Sequence, residues 1–320
     1  MLGVGVLDHR LNPTIKQVET QARVAEDAGA GWLTISDNST WRDSWILTAA
    51  AAGVTDEILL GPGVTNPYLR HPFHTAAALA TIHELSGNRA MLGVGAGGSA
   101  LSASADVSRR DAPARVAELI ELVRRAASGG PLDPVSGLSL DRGDGFQMAP
   151  TPVMVAGRKD EMLRCAGAHA DWALMWRIPM SDLERVSGLI RDGASTAGRT
   201  AGPEIVWCPL VAWDERIRPH LRMATVFSAL ESPPDLFRRW GLSVGTRQEI
   251  KSVVMRHGIA AAASLVPDSV ADDVILPDAD PASVAEMAKA VGATAIAVRN
   301  FETDALQEGV NWARAVTAML

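Results

Sequence analysis

The sequence predicts an α/β protein in which eight parallel strands close into a (β/α)8 barrel, and two observations support this fold. Short apolar runs alternate with longer segments of helical periodicity along the whole chain. Most of these runs are continuously apolar, as is typical of strands that are buried on both faces of a parallel sheet. An open, doubly wound sheet is the alternative that the same pattern allows.

Eight apolar runs have the composition of buried strands. In chain order they are GVGVLD (3–8), WLTISD (32–37), ILLGPGV (58–64), AMLGVGAG (90–97), PVMVAG (152–157), DWALMW (171–176), EIVWCPLVAW (204–213) and TAIAVRN (294–300). Each of them is followed by a predicted helix, so the strand-helix unit recurs eight times.

Capping signals mark the start of several helices. Thr14 and Gln17, and later Ser181 and Glu184, have the spacing of a capping box, in which two side chains satisfy backbone N–H groups of the first turn. The second helix is predicted to begin at about Trp45. Apolar residues recur three and four positions apart in the fourth helix (Val116, Leu119, Ile120, Val123) and in the last (Leu306, Val310, Ala313, Val316).

Two stretches do not fit the minimal strand-helix unit. Residues 128–149 are rich in Gly and Asp and follow the fourth helix, whereas residues 214–263 are mostly helical with Pro interruptions and follow the seventh strand. No linker divides the chain. We therefore expect residues 1–320 to form one barrel domain that carries two insertions.

Composition argues against several classes of function. The net charge is −7 and no long run of Lys or Arg occurs, so no nucleic-acid partner is predicted. Cys165 and Cys208 lie far apart without ligand spacing, which indicates core residues and no metal site. No apolar run approaches the roughly 20 residues of a membrane helix, and no signal peptide is recognised, so a cytoplasmic protein without membrane contact is expected.

The residues that end the strands are the candidate site, because the carboxyl ends of barrel strands line the pocket. They combine a carboxylate, small loops, Trp faces and a few cations, which suits a large flat ligand with an anionic tail. These residues are Asp8 and His9, Asp37 and Asn38, Gly63 to Asn66, Gly95 to Ser99, Gly157 to Lys159, Trp176 and Arg177, Trp207 and Cys208, and Arg299 and Asn300.

The segment GVGAGG (93–98) has the spacing G-x-G-x-x-G and lies between a strand and a helix, as in a dinucleotide fold. The acidic residue that such a fold requires about 20 positions later falls at Glu118 or Glu121, inside an amphipathic helix. Three strand-helix units also precede the motif. We therefore interpret these glycines as a loop that lets a planar ligand approach the backbone, or as a simple turn.

The segment GPGVTNPYLRHPFHTAAALATIHELSGNRAMLGVGAGGS (61–99) closely resembles the core of the luciferase-like monooxygenase superfamily. Within it, the segment resembles the F420-dependent oxidoreductases that include methylenetetrahydromethanopterin reductases. The resemblance extends to AEDAGAGWLTISDN (25–38), PVMVAGRKDEMLRCAGAHADWALM (152–175) and DPASVAEMAKAVGATAIAV (280–298). It implies a (β/α)8 barrel, a homodimer and hydride transfer between F420 and a small organic substrate.

The resemblance also assigns cofactor contacts to four strand ends. In relatives a non-prolyl cis peptide bond lies against the cofactor ring, and the matching bond here is Gly63–Val64. The other residues that the resemblance places beside the ring are Asp37, Asn38, Thr65, Asn66, Gly95, Gly97 and Gly98, and those at the phosphate are Gly157, Arg158 and Lys159. A helix N-terminus with free N–H groups favours such an anion.

On the substrate side, Trp41 and Trp176 are expected to form walls, with Arg177 beside them. The candidate catalytic residues are Asp8 and His9, as general acids, and Asp37.

Two positions differ from many F420-using relatives, which carry an acid where this chain has Gly98 and a histidine where it has Asn38. The proton donor therefore stays open. An FMN-dependent luciferase-like monooxygenase and a non-catalytic cofactor-binding protein are the alternatives to an F420-dependent oxidoreductase.

Overall fold

The computed structural model describes residues 3–8, 12–38, 41–98, 108–140 and 147–320. Eight strands form a single sheet. They are β1 (Gly5–Asp8), β2 (Trp32–Ile35), β3 (Leu59–Pro62), β4 (Leu92–Gly95), β5 (Val153–Ala156), β6 (Trp172–Trp176), β7 (Glu204–Cys208) and β8 (Ala293–Asn300).

The strand order is β3-β2-β1-β8-β7-β6-β5-β4, and the pairs along it are parallel. Backbone contacts bring the two end strands together. Thr65 N donates to Gly93 O and Gly95 N donates to Thr65 O, both at 2.9 Å, and Leu60 bridges to Ala90 in parallel. The predicted (β/α)8 barrel is therefore confirmed, and the open doubly wound sheet is wrong.

Helices follow the strands along the chain. They are α1 (Ile15–Asp27), α2 (Ser44–Ala52), α3 (Pro72–Ser86), α4 (Ala112–Ala127), α5 (Asp160–His169), α6 (Leu183–Thr196), α7 (Arg218–Glu231), α8 (Pro234–Arg239), α9 (Val244–His257), α10 (Ile259–Ala262), α11 (Asp268–Val274), α12 (Pro281–Ala290) and α13 (Leu306–Thr317). No helix in the described part of the chain has the length and apolar character needed to cross a membrane.

The first capping box is confirmed and the second is wrong. Thr14 and Gln17 cap α1 reciprocally, as the sequence predicts. Ser181 instead donates its backbone N–H and its hydroxyl to the Asp273 carboxylate, at 2.9 and 2.6 Å, and α6 begins at Leu183 without a side-chain cap. A hydrogen bond from Ser181 to the charged carboxylate of Asp273 is stronger than the bond that its hydroxyl would accept from a backbone N–H of the first turn. This tertiary contact therefore replaces the predicted cap.

The barrel interior is filled by large side chains from alternate strand positions, including Trp32, Met91, Met154 and Trp172. A Cβ at Gly5 would lie 1.8 Å from the Trp32 ring, so the glycine makes room for the indole. The opposite strand faces pack against the helices in a second, larger core. The interior of the barrel is therefore a packed core and leaves the strand ends as the place for a site.

The segment after β7 forms its own small core. Helices α7 to α11 bury Leu221, Phe237, Trp240, Ile250 and Val270 among themselves. This helical segment continues past residue 263 to Val274, where Leu210 bridges to Ile275 and returns the chain to the barrel. In residues 128–149 the described part contains turns, bends and irregular chain but no helix or strand.

Candidate functional site

Asp37 and Thr65 meet where β2 and β3 end. The Thr65 hydroxyl donates a 2.6 Å hydrogen bond to Oδ2 of Asp37. Burial raises the pKa of the Asp37 carboxyl above its usual range, although the hydrogen bond from Thr65 opposes this effect. A cavity of about 370 Å³ opens beside the pair, and its lining includes Asp37, Asn38, Trp41, Thr65, Arg70 and His71.

The peptide bond between Gly63 and Val64 is cis, as the resemblance implies. Val64 is half-buried and lies two residues after the end of β3, while Thr65 and Asn66 are buried. The side-chain oxygen of Asn66 accepts from the backbone N–H groups of Tyr68 and Leu69, both at 3.1 Å. Asn66 therefore shapes the loop after β3, and the hydroxyl proton of Thr65 is donated to Asp37.

Two of the site glycines are required by the packing of the barrel itself. A Cβ at Gly63 would lie 2.1 Å from Oγ1 of Thr34, and a Cβ at Gly95 would lie 2.9 Å from the carbonyl oxygen of Ala156. Gly97 has a φ of +75°, which L side chains rarely adopt, whereas no atom of the described residues lies within 4 Å of a Cβ at Gly98. The open backbone of this loop is therefore at Gly98.

Asp8 is buried, with 2% of its surface exposed, at the end of β1. By alternation it shares the side of the strand that carries Val6, which packs in the helix-facing core, whereas Leu7 belongs to the barrel interior. The hydroxyl of Ser36 donates to the Asp8 carbonyl oxygen at 2.6 Å. His9, the other candidate acid, lies outside the described residues.

Arg177 lies at the end of β6 in a left-handed backbone conformation, with a φ of 53°. Its guanidinium stacks on Trp176 at 3.7 Å and on Phe227 of α7 at 4.7 Å. Its Nη2 lies 3.5 Å from Oε2 of Glu231, which also forms an ion pair with Arg158. The structure thus brings the predicted residues Trp176, Arg177 and Arg158 together, under a helix of the segment that follows β7.

The start of α5 is the predicted phosphate position. Lys159 is exposed and occupies the N-cap of α5, whose first N–H groups receive no side-chain cap. Asp160 and Glu161 stand in the first turn and offset part of the positive end of the helix dipole. A Cβ at Gly157 would lie 2.6 Å from Cβ of Met162, so packing accounts for this glycine as well.

Arg299 is a further site residue. The sequence predicts only that it ends a strand. It is 5% exposed, and its guanidinium faces Trp176 at 5.2 Å and Phe301 at 4.4 Å. Burial lowers the pKa of Arg299 to about 10 and raises the pKa of the neighbouring Cys208 thiol to about 12. Phe227 and Glu231 were missed because their segment matches no recognised pattern.

Known proteins resemble this chain in sequence and fold. A 5,10-methylenetetrahydromethanopterin reductase of Archaeoglobus fulgidus is 28% identical over 269 residues, which cover 81% of this chain and 80% of the relative. An F420-dependent hydroxymycolic acid dehydrogenase of Mycobacterium tuberculosis is 30% identical over 62% of this chain and 59% of the relative.

A solved structure matches over nearly the whole chain. The F420-dependent tetrahydromethanopterin reductase of Methanopyrus kandleri has a TM-score of 0.79 at 22% identity, with 98% of both chains covered. The sequence pattern of luciferase-like monooxygenases matches residues 2–296. Because this match spans most of the barrel, the chain belongs to the luciferase-like monooxygenase family.

Proposed function

We propose that the protein is an F420-dependent oxidoreductase that transfers a hydride between the deazaflavin and a small organic substrate. The relatives named above, a reductase and a dehydrogenase, support this class of reaction. The observation that carries the proposal is the partly buried Asp37–Thr65 pair beside the half-buried Val64, at the mouth of a barrel of this family. Together they offer an apolar surface and a carboxyl group to a flat ring.

The residues present fit the cofactor at two places. The open backbone at Gly98 and the surface of Val64 can lie against a planar ring, and the uncapped N–H groups at the start of α5 can bind a phosphate. When bound there, F420 supplies a two-electron hydride carrier, and the protein positions and shields it. Arg158 and Lys159 would add positive charge near the phosphate, although Glu231 neutralises part of the charge of Arg158.

Asp37 is the group that we assign to proton transfer. Its Oδ2 accepts from Thr65, and burial raises its pKa, so the carboxyl can hold a proton at Oδ1 closer to neutral pH than an exposed aspartate can. Trp41 lines the same cavity and Trp176 lies across the barrel mouth, where both indoles would exclude water. The roles of Asp8 and His9 as acids remain predictions.

Hydride transfer is tested by following the absorbance of reduced F420 with candidate acceptors. In Asp37→Asn we expect turnover to fall by about 100-fold or more while F420 affinity stays within about threefold of wild type. The matched control is Asp43→Asn in the same cavity lining, which should keep turnover near that of wild type. Unchanged turnover in Asp37→Asn would remove Asp37 from the mechanism.

We also propose that the protein is a homodimer that associates through barrel helices. α2 and α3 are rich in alanine, and they expose Ile46, at 63%, and Leu85, at 52%. Exposed apolar side chains on adjacent helices are typical of a contact surface, and the barrel mouth stays open in this arrangement. A cytoplasmic location and the lack of a nucleic-acid partner remain predictions.

A further inference from the structure

Three arginines converge at the barrel mouth, where β5, β6 and β8 end. Arg177 is 4% exposed and Arg299 is 5% exposed, and the side chain of Arg158 is 16% exposed. Among the described residues, Glu231 is the only carboxylate within ion-pair distance of any of them. Counted over the described residues, three guanidinium groups and one carboxylate leave an excess of two positive charges in a largely buried place.

The arginine cluster (Arg158, Arg177 and Arg299) has N–H donors that no described residue accepts from. Nε and Nη1 of Arg177, Nε and Nη1 of Arg299, and Nη1 of Arg158 are buried and donate to no acceptor in the described part of the chain. Buried polar atoms in folded proteins are nearly always paired, and an unpaired buried charge is more costly still. Within the described residues these five nitrogens therefore lack an anionic acceptor.

The aromatic neighbours hold the guanidinium planes in place without consuming their hydrogen bonds. Arg177 lies between Trp176 and Phe227, and Arg299 lies between Trp176 and Phe301. A guanidinium that is held flat in this way keeps its in-plane N–H groups free for a carboxylate or a phosphate. The two guanidinium groups are therefore held in fixed orientations, unlike the mobile side chain of a surface arginine.

The position of the cluster indicates which molecule brings the anion. Arg299 lies on the same face of β8 as Ala295 and Ala297, which belong to the barrel interior. In the strand order β8 is four places from β4, and β6 is four places from β2. Arg177 and Arg299 therefore face the wall of Asp37 and Gly98, to which we assign the cofactor ring, from across the mouth, whereas Arg158 ends β5, the neighbour of β4.

We infer that Arg177 and Arg299 bind an oxyanion, a carboxylate or phosphate group, that belongs to the substrate of the hydride transfer. The substrate class is thus a small organic acid or phosphate ester. The assignment to the substrate rests on the proposed function, whereas the anion site rests on the cluster alone. The segment after β7 takes part in this site, because α7 supplies Phe227 and Glu231.

The anion site is tested with inorganic phosphate and the protein without cofactor, by thermal unfolding at constant ionic strength. Phosphate in place of chloride should raise the melting temperature of the wild type, and Arg299→Met should weaken phosphate affinity about tenfold or more. Arg299→Lys should bind phosphate with intermediate affinity. Arg256 is exposed on α9, and Arg256→Met is the control. Phosphate should raise its melting temperature as much as that of the wild type.

A second readout separates a binding arginine from a structural one. Without phosphate, Arg299→Met should melt at or above the wild-type temperature, because an apolar side chain replaces an unpaired buried charge. A wild type that phosphate does not stabilise, or an Arg299→Met variant that phosphate stabilises equally, would overturn the site.

Cofactor titrations then identify the source of the anion. If the site belongs to the substrate, Arg299→Met binds F420 within about twofold of wild type. If Arg299→Met loses F420 affinity but still binds the deazaflavin fragment without phosphate and tail, the anion belongs to the cofactor and our assignment to the substrate is wrong. If wild type binds no F420 at all, the proposed function fails, and the phosphate response still reports on the site.

Discussion

Thr65 donates a 2.6 Å hydrogen bond to Asp37, which links the loop after β3 to the end of β2. Burial raises the pKa of this carboxyl in the folded protein. A raised folded pKa means that the bound proton contributes stability below the unfolded pKa of about 3.9, and that this stability is lost as pH rises through the folded pKa. At neutral pH the partly buried charge of Asp37 therefore lowers the stability of the folded protein.

We expect Asp37→Asn to be more stable than wild type at pH 7, with a gain that shrinks as pH falls toward about 4. Urea unfolding across this pH range measures the difference. Asp133→Asn is the control of opposite sign, because hydrogen bonds from Ser136 and Val135 lower the pKa of Asp133 and this variant should lose stability at neutral pH. A stability difference for Asp37→Asn that does not change with pH would contradict the pKa assignment.

Gly63→Ala should be destabilising, because the new Cβ would lie 2.1 Å from Oγ1 of Thr34, which is fully buried. Overpacking of this kind costs about 1 to 3 kcal/mol of unfolding free energy. Gly98→Ala, where no atom in the described part of the chain lies within 4 Å, should change stability by no more than about 0.5 kcal/mol. Chemical denaturation measures the unfolding free energy of both variants. Equal values would show that the Thr34 side chain moves aside without loss of stability.

Asp273 fastens the segment after β7 to the barrel. Its carboxylate accepts from the backbone N–H and hydroxyl of Ser181 and, at 2.8 Å, from Nε1 of Trp240. Asp273→Ala leaves these donors without their acceptor and should lower the unfolding free energy by about 2 kcal/mol. The neighbouring Asp272 is exposed, and Asp272→Ala should have almost no effect on unfolding in urea.

The proposed dimer predicts a change of mass in solution. Ile46→Lys combined with Leu85→Lys places two charges on the exposed faces of α2 and α3 and should give a monomer in light scattering. Val135→Lys, which changes a 96% exposed loop residue, is the control and should leave the mass unchanged. A wild type that is monomeric at every micromolar concentration would contradict the dimer.

The barrel could be predicted from the sequence because its strands are continuously apolar and each is followed by a helix. The capping box of α1 could also be predicted, since Thr14 and Gln17 interact within one turn. The capping box predicted at Ser181 is wrong because the partner of Ser181, Asp273, lies far along the chain, and no local pattern reveals such a contact.

The site was only partly predictable for the same reason. The strand ends place Asp37, Thr65 and Arg177 correctly at the barrel mouth. The role of Gly63 differs from the expectation, since the space above it is filled by Thr34 and not left for a ring. Glu231 and Phe227 reach the arginine cluster from a helix that no strand-end argument includes.

The measurement that tests the central claim most directly is an equilibrium titration of the purified protein with F420 and with FMN. F420 carries more negative charge than FMN, so we expect tighter binding of F420 and an affinity that falls as salt is added. Arg158→Ala combined with Lys159→Ala should remove most of the preference for F420. Binding of FMN at least as tight as that of F420, or an F420 affinity unchanged in the double variant, would contradict the account.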